Sequence, residues 1–121
     1  MATIKAFTNI SQSKKLTKIL PPESSDMYIA NYIGKSGEVD GTNIHYYTKG
    51  ESFGAPEIIL CWSLSALLSV LHYPSLHKTS TDWQCDSYNK KVNFYQFSEN
   101  ANNPIDACYE MIIRLHESNL L

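Results

Sequence analysis

The sequence has little positive charge with which to contact phosphates, because it contains a single arginine, Arg114, and its net charge is −2. Nucleic-acid-binding surfaces are built from clusters of lysine and arginine, so nucleic acid is not an expected partner. A long apolar run is also missing. The longest, from Ile58 to Leu71, is interrupted by serines and is too short to span a bilayer. A membrane is therefore not an expected partner either.

Cysteine is scarce, and its pattern excludes two kinds of site. The three cysteines, Cys61, Cys85 and Cys108, are odd in number and widely spaced. They form no Cys-x-x-Cys pair, and no disulfide framework follows from their spacing. Residues 1–10 show no basic-then-apolar signal pattern. We therefore expect reduced, buried thiols and a cytoplasmic protein, in the host cytosol if the chain is phage-encoded.

The length and composition favour one folded globule. The chain has 121 residues, of which 43% are apolar and 18% are charged. Disordered chains combine low hydrophobicity with high net charge, and this chain has neither property. One domain covering residues 1–121 is expected, since two well-built cores need a longer chain.

Capping residues and apolar spacing predict three helices. The first begins after Asn9 or Ser11 and ends at Leu20, before two prolines. Ser63 caps a second, apolar helix that ends at Leu71. The third begins at Pro104, directly after its cap Asn103, and should run to about Glu117.

Between the helices, β-forming residues predict antiparallel strands. The predicted strands are Met27–Ile33, Thr42–Thr48, Ile58–Leu60, Leu76–Thr79, Thr81–Tyr88 and Lys91–Phe97. Strands and helices do not alternate regularly, which argues against a doubly wound parallel sheet. The predicted fold class is α+β, with an antiparallel sheet of about four to six strands and about three helices packed mainly on one face.

Cys61 is the one candidate nucleophile. It precedes a predicted helix, and helix N-termini lower the pKa of a thiol. A general base would have to come from one of four scattered histidines, His45, His72, His77 and His116. A small hydrolase that uses Cys61 or a histidine is therefore the alternative hypothesis. The favoured interpretation is that Cys61 is a buried core residue, so no catalytic residue is assigned.

Metal and cofactor sites are not indicated. His72 and His77 are five residues apart with a proline between them, which does not match the i, i+4 spacing of helical metal ligands. The carboxylates are scattered, and the sequence has no glycine-rich phosphate loop and no Gly-x-Ser-x-Gly elbow. We expect no metal and no cofactor.

The first two predicted strands, Met27–Ile33 and Thr42–Thr48, can form a hairpin, and they carry four of the eight tyrosines. All five glycines fall between Gly34 and Gly54. Tyrosine and tryptophan are enriched at binding hot spots, although cross-strand packing explains the same residues. The predicted binding residues are Tyr28, Tyr32, Lys35, Tyr46, Tyr47, Lys49 and Trp62.

Three segments resemble a known group of proteins. They read ILPPESSDMY from Ile19, CWSLSALL from Cys61 and NPIDACYEMI from Asn103. They are similar to segments of small proteins from Bacteroides-type gut bacteria, their phages and other mobile elements. The resemblance covers most of the chain from about Ser11 onward, and it implies no particular activity, cofactor or catalytic residue. It does imply an accessory role in contact with a host.

Together these observations predict a small non-enzymatic binding protein of a phage or mobile element. It would capture a host protein or a small ligand, for example to blunt a host defence. The hydrolase remains the alternative. A subunit that works only as a homo-oligomer is a third hypothesis, which the aromatic content permits.

Overall fold

The computed structural model describes residues 5–33, 39–48, 57–89 and 94–121, and it confirms an α+β fold. Within these ranges there are three α-helices and six strands, and all strand pairs are antiparallel. The strands form two three-stranded sheets rather than the one continuous sheet that was predicted. Strands pair mainly with near neighbours in sequence, and a helix interrupts the chain after the third strand, so the two groups stay separate.

The chain divides into two compact units. We call Asn9–Trp62 the N-terminal unit, and Ser63–Leu121 together with the segment ending at Thr8 the C-terminal unit. Each unit contains one sheet. The single domain expected from the chain length stays a prediction.

The N-terminal unit begins with helix α1, Ile10–Thr17. Asn9 caps it with a capping box: the Asn9 side chain accepts a hydrogen bond from the Gln12 N–H at 2.8 Å, and the Gln12 side chain accepts one from the Asn9 N–H at 3.1 Å. Leu16 is fully buried, whereas the lysines of the last turn are exposed. Helix α1 is thus amphipathic, with a basic outer side.

After a 3-10 turn, Pro22–Ser24, three strands form the sheet of this unit. They are β1 (Met27–Ile33), β2 (Val39–Thr48) and β3 (Glu57–Cys61), in the order β2-β1-β3. The bounds of β1 match the prediction. In the described residues β1 is the central strand, and β3 pairs with β1 alone, so β3 is an edge strand.

The core of the N-terminal unit lies between α1 and one face of this sheet. Ile29, Ile59 and Cys61 are buried together, and Ile10 from the start of α1 packs against them with Met27. Since side chains alternate along a strand, Ile58 and Leu60 point to the opposite face from Ile59. Helix α1 therefore lies on the Ile59 side of the edge strand.

The C-terminal unit holds helix α2, Leu64–Val70, and three further strands. Ser63 caps α2, accepting a hydrogen bond from the Ala66 N–H at 3.3 Å. The strands are β4 (Pro74–Lys78), β5 (Trp83–Asn89) and β6 (Phe94–Ala101), in the order β4-β5-β6. Strand β6 extends to Ala101, beyond the predicted end at Phe97, because pairing with β5 holds the polar residues that follow Phe97 in the sheet.

Helix α3, Pro104–Glu117, covers one face of that sheet, and its bounds match the prediction. The Asn103 side chain accepts from the Asp106 N–H at 2.8 Å, which caps the helix as expected. Most of the helix is buried, at positions Ile105, Ala107, Cys108, Tyr109, Met111, Ile112, Ile113 and Leu115. Helix α2 also packs against α3, so α3 is the centre of this unit.

The segment before α1 joins the C-terminal unit through two contacts. Phe7 forms an isolated antiparallel bridge with Ser63. Lys5 Nζ lies 2.7 Å from Asp106 Oδ1, an ion pair at the first turn of α3. Across the described ranges, no helix has the length and apolar character needed to cross a bilayer.

Candidate functional site

Two of the predicted binding residues are core residues. Tyr28 on β1 is 6% exposed, and Trp62 is fully buried. The indole N–H of Trp62 donates to Ser24 Oγ at 2.9 Å, and that hydroxyl donates to the Pro21 carbonyl at 2.6 Å. This chain of hydrogen bonds fastens the end of β3 to the 3-10 turn, which is a structural role.

The other predicted binding residues lie outside the part of the chain whose side chains the structure describes. Tyr32, Tyr46 and Tyr47 have backbone positions on β1 and β2, where Tyr47 is the register partner of Tyr28. Lys35 and Lys49 fall outside the described ranges altogether. The binding role of this hairpin stays a prediction.

Cys61 has the properties of a core thiol. It is fully buried between Ile29 and Ile59, which denies it contact with a substrate. Burial, with a smaller contribution from the negative charge of Asp26, raises the pKa of Cys61 to about 12. A nucleophilic cysteine needs the opposite shift, toward the thiolate. The environment of Cys61 therefore opposes the hydrolase hypothesis.

The other two cysteines form a buried pair in the C-terminal unit. Cys85 on β5 and Cys108 on α3 are both fully buried and share a hydrogen bond. That hydrogen bond to Cys85, followed by burial, raises the pKa of Cys108. Both thiols pack between helix and sheet, as expected for structural cysteines.

The described histidines assemble no metal or catalytic centre. His72 and His116 are exposed, and the side chain of His45 lies outside the described residues. Throughout the described ranges, no group of three or more His, Cys, Asp or Glu residues could hold a metal ion.

His77 takes part in a polar network on the face of the C-terminal sheet opposite α3. Asp86 Oδ1 accepts hydrogen bonds from Gln84 Nε2 at 2.9 Å and from the Ser98 hydroxyl. His77 Nδ1 lies 4.0 Å from the other oxygen of the carboxylate, Asp86 Oδ2. Activation of a serine needs an imidazole bonded to its hydroxyl, whereas here the carboxylate takes that bond. The network joins three strands and is not a nucleophile–base pair.

Among the described residues, a candidate site is the groove between α1 and the edge strand of the N-terminal unit. We call it the α1–β3 groove. It has a volume of about 380 Å³ and is lined by Lys14, Thr17, Lys18, Ile58, Ile59 and Leu60. This volume is within the usual range for binding pockets, about 300–1,000 Å³. Because successive strand residues point to opposite faces, a groove lined by residues 58, 59 and 60 runs along the edge of the strand.

The part of the groove that β3 contributes is apolar and unusually exposed. Ile58 is 56% exposed, one of few large apolar side chains so exposed in the described chain, and Leu60 is half-buried. An exposed apolar strand at a sheet edge is a hazard for aggregation unless a partner or a charge protects it. The groove therefore combines apolar area with a strand edge that no described strand covers.

The α1 side of the groove is cationic. Lys14 and Lys18 line it and are exposed, while Lys15 lies on the same helix outside the groove. Lys18 has no ion-pair partner in the chain as far as the structure describes it. Two lysines beside apolar side chains suit a ligand that carries both negative charge and apolar groups. The residues that line the groove include no cysteine, histidine or carboxylate.

This site was not predicted from the sequence. Ile58 was predicted only as part of a short strand, and no role was assigned to Lys14 or Lys18. The three consecutive apolar residues at positions 58–60 indicate an exposed edge only when β3 is known to be the outer strand of its sheet. The lysines could not be assigned, because only the packing of α1 beside β3 brings them there.

Comparison of the chain with family models, with curated proteins and with solved structures gave no match.

Proposed function

We propose that this chain is a non-enzymatic binding protein that captures a partner protein in the α1–β3 groove. It holds its partner without changing it chemically. The resemblance of three segments to proteins of phages and mobile elements makes a host protein the expected partner. The binding surface differs from the tyrosine-rich hairpin that the sequence suggested.

The exposure of Ile58 is the observation that carries this proposal. Ile58 lies on an edge strand and is 56% exposed, so much of its apolar surface is in contact with water. Burial of that surface under a partner would be favourable. Its strand neighbour Ile59 is 7% exposed and already serves the core. Ile58 therefore adds little to the fold and is available for an interface.

The shape of the groove favours a protein over a small ligand. Small-molecule sites enclose most of their ligand's surface, whereas this groove is open along the strand edge. An open edge can accept a length of chain. The buried state and raised pKa of Cys61 oppose the alternative of a hydrolase.

A peptide-display selection tests the proposal. A library of random peptides about ten residues long, the usual upper length of a strand, is selected on the full chain. Enriched peptides should bind the native protein and be recovered unchanged, as judged by mass spectrometry. Ile58→Thr, which keeps β propensity, should weaken binding by about tenfold because it removes apolar contact area.

Leu121→Thr is the matched control for this selection. Leu121 is 43% exposed and does not line the groove, so the same loss of apolar area there should leave binding unchanged. If no enriched peptide distinguishes Ile58→Thr from Leu121→Thr, the groove is not the binding site. Cleaved or modified peptides would establish an enzyme instead.

A further inference from the structure

The geometry of the groove points to the chemistry of its occupant. We propose that the occupant is an extended, acidic segment of the partner protein, which pairs with the outer edge of β3 as a fourth strand. This inference rests on the proposed function and specifies the partner. Side chains of the segment that point toward α1 are acidic, and those that point away are apolar.

The backbone of β3 provides the first argument. In an antiparallel sheet, alternate N–H and C=O groups of an edge strand point away from the sheet and can pair with another chain. The described part of the chain places β1 on one side of β3 and no strand on the other. Addition of a strand satisfies these backbone groups, and it selects extended segments over helices.

The two sides of β3 provide the second argument, because they differ in chemistry. On the Ile59 side stands α1, which brings Lys14 and Lys18 to the groove. On the other side Ile58 and Leu60 present apolar surface. Since the side chains of an added strand also alternate, its residues would meet lysines on one side and apolar groups on the other.

Lys18 directly follows the last turn of α1 and lines the groove, so an acidic side chain of the segment that points toward α1 can approach it. The lysines add selectivity for charge and faster association more than raw affinity.

A second copy of the chain is a less suitable occupant. If two β3 strands paired antiparallel across a two-fold axis, both α1 helices would lie on the same face of the joined sheet. Each Lys18 would then face the cationic groove of the other copy. Lys18 has no ion-pair partner among the described residues. Like charges at such a seam oppose association, whereas an acidic segment complements it.

Matched synthetic peptides test the inference. The first alternates glutamate with valine, the second replaces each glutamate by lysine, and the third repeats the first with N-methyl groups on alternate amides. Binding is followed by fluorescence anisotropy. The first should bind, with affinity that falls as salt rises, and the second should bind at least about tenfold more weakly because its charge is reversed. N-methylation should abolish binding, since it removes the pairing N–H groups.

Charge reversal on the protein provides the matched control. Lys18→Glu should weaken binding of the acidic peptide by about five- to tenfold and improve binding of the basic one. Lys15→Glu makes the same change in the last turn of α1 without touching the groove, so it should have little effect.

The outcomes separate this inference from the proposed function. If displayed peptides bind through Ile58 but are neutral, basic or helical, the groove binds partners and the acidic strand is wrong. Equal loss of binding in Lys18→Glu and Lys15→Glu would also overturn the inference. A dimer in light scattering that Ile58→Thr dissociates would identify a second copy as the occupant and contradict it as well.

Discussion

In the C-terminal unit, the sheet face opposite α3 carries side chains that hydrogen-bond to one another, whereas the N-terminal unit exposes apolar edge residues beside lysines. On the first surface, Asp86 accepts hydrogen bonds from Gln84 on its own strand and from Ser98 on the neighbouring strand. On the second, Ile58 has more than half of its side chain in water. Polar groups that already hydrogen-bond to one another gain little free energy from a partner. Exposed apolar area gains more, because a partner removes it from water.

This difference bears on which unit carries the proposed binding surface. The C-terminal unit is built around a well-buried helix, and its two fully buried thiols pack between that helix and the sheet. The N-terminal unit contains a smaller buried cluster and the open groove. Under the proposed function, the surface that binds the partner therefore lies on the N-terminal unit.

The largest expected effect concerns thiol reactivity. If this prediction failed, the contrast drawn between the two units would not hold. All three cysteines are buried, and the pKa of Cys61 is about 12, so the native protein should react with iodoacetamide far more slowly than the urea-unfolded chain. Mass spectrometry of the labelled protein counts the modified thiols. Fast labelling of Cys61 in the native protein would place a reactive group in the N-terminal unit and revive the hydrolase.

The second prediction compares adjacent residues of β3. Ile59→Ala should lower the free energy of unfolding by about 2–5 kcal/mol, because it opens a cavity in the core. Ile58→Ala should change it by no more than about 0.5 kcal/mol, since the side chain is largely in water. Urea denaturation measures both. Similar losses in the two variants would mean that Ile58 serves the fold rather than an interface.

The third prediction concerns the cap of α3, the central helix of the C-terminal unit. Asn103→Ala should lower the free energy of unfolding by about 1 kcal/mol, because the Asp106 N–H at the start of α3 loses its acceptor. Asn102→Ala is the control, since Asn102 is exposed and does not cap the helix. Thermal denaturation should show a lower midpoint for the cap variant alone.

The smallest expected effect is a pH dependence in the turn before β5. Hydrogen bonds from Thr79 and from Asn100 lower the pKa of Asp82. A lowered pKa in the folded state stabilises the protein above the ordinary aspartate pKa, and this contribution is lost as the pH falls through the lowered value. The carboxyl carbon resonance of Asp82 should titrate below the usual range, and Thr79→Val should move the midpoint upward. An unchanged midpoint would refute the role of this hydrogen bond.

Elements with strong local signals could be predicted from the sequence. Asn103 and Pro104 fix the start of α3, and the apolar positions that follow fix its buried side, so the helix bounds are correct. Strand β1 was also predicted correctly, since its β-forming residues follow the proline-containing turn Pro22–Ser24. Such signals need only a few neighbouring residues.

Features that depend on distant contacts could not be predicted. The end of β6 at Ala101 depends on pairing with β5, because Glu99 and Asn100 are not strand formers by themselves. The division into two sheets depends on which strands pair, and local sequence signals do not specify the partner of a strand. The groove depends on α1 lying beside β3, so neither Lys18 nor Ile58 indicates it alone.

Amide hydrogen exchange of β3 with and without the alternating glutamate–valine peptide tests the central claim most directly. Backbone N–H groups of Ile58–Leu60 that point away from β1 should exchange with solvent in the free protein, because no described strand covers that edge. Bound peptide should slow their exchange, while the amides of β5 remain unchanged. Binding that leaves the β3 amides unaffected and protects another surface would contradict the account.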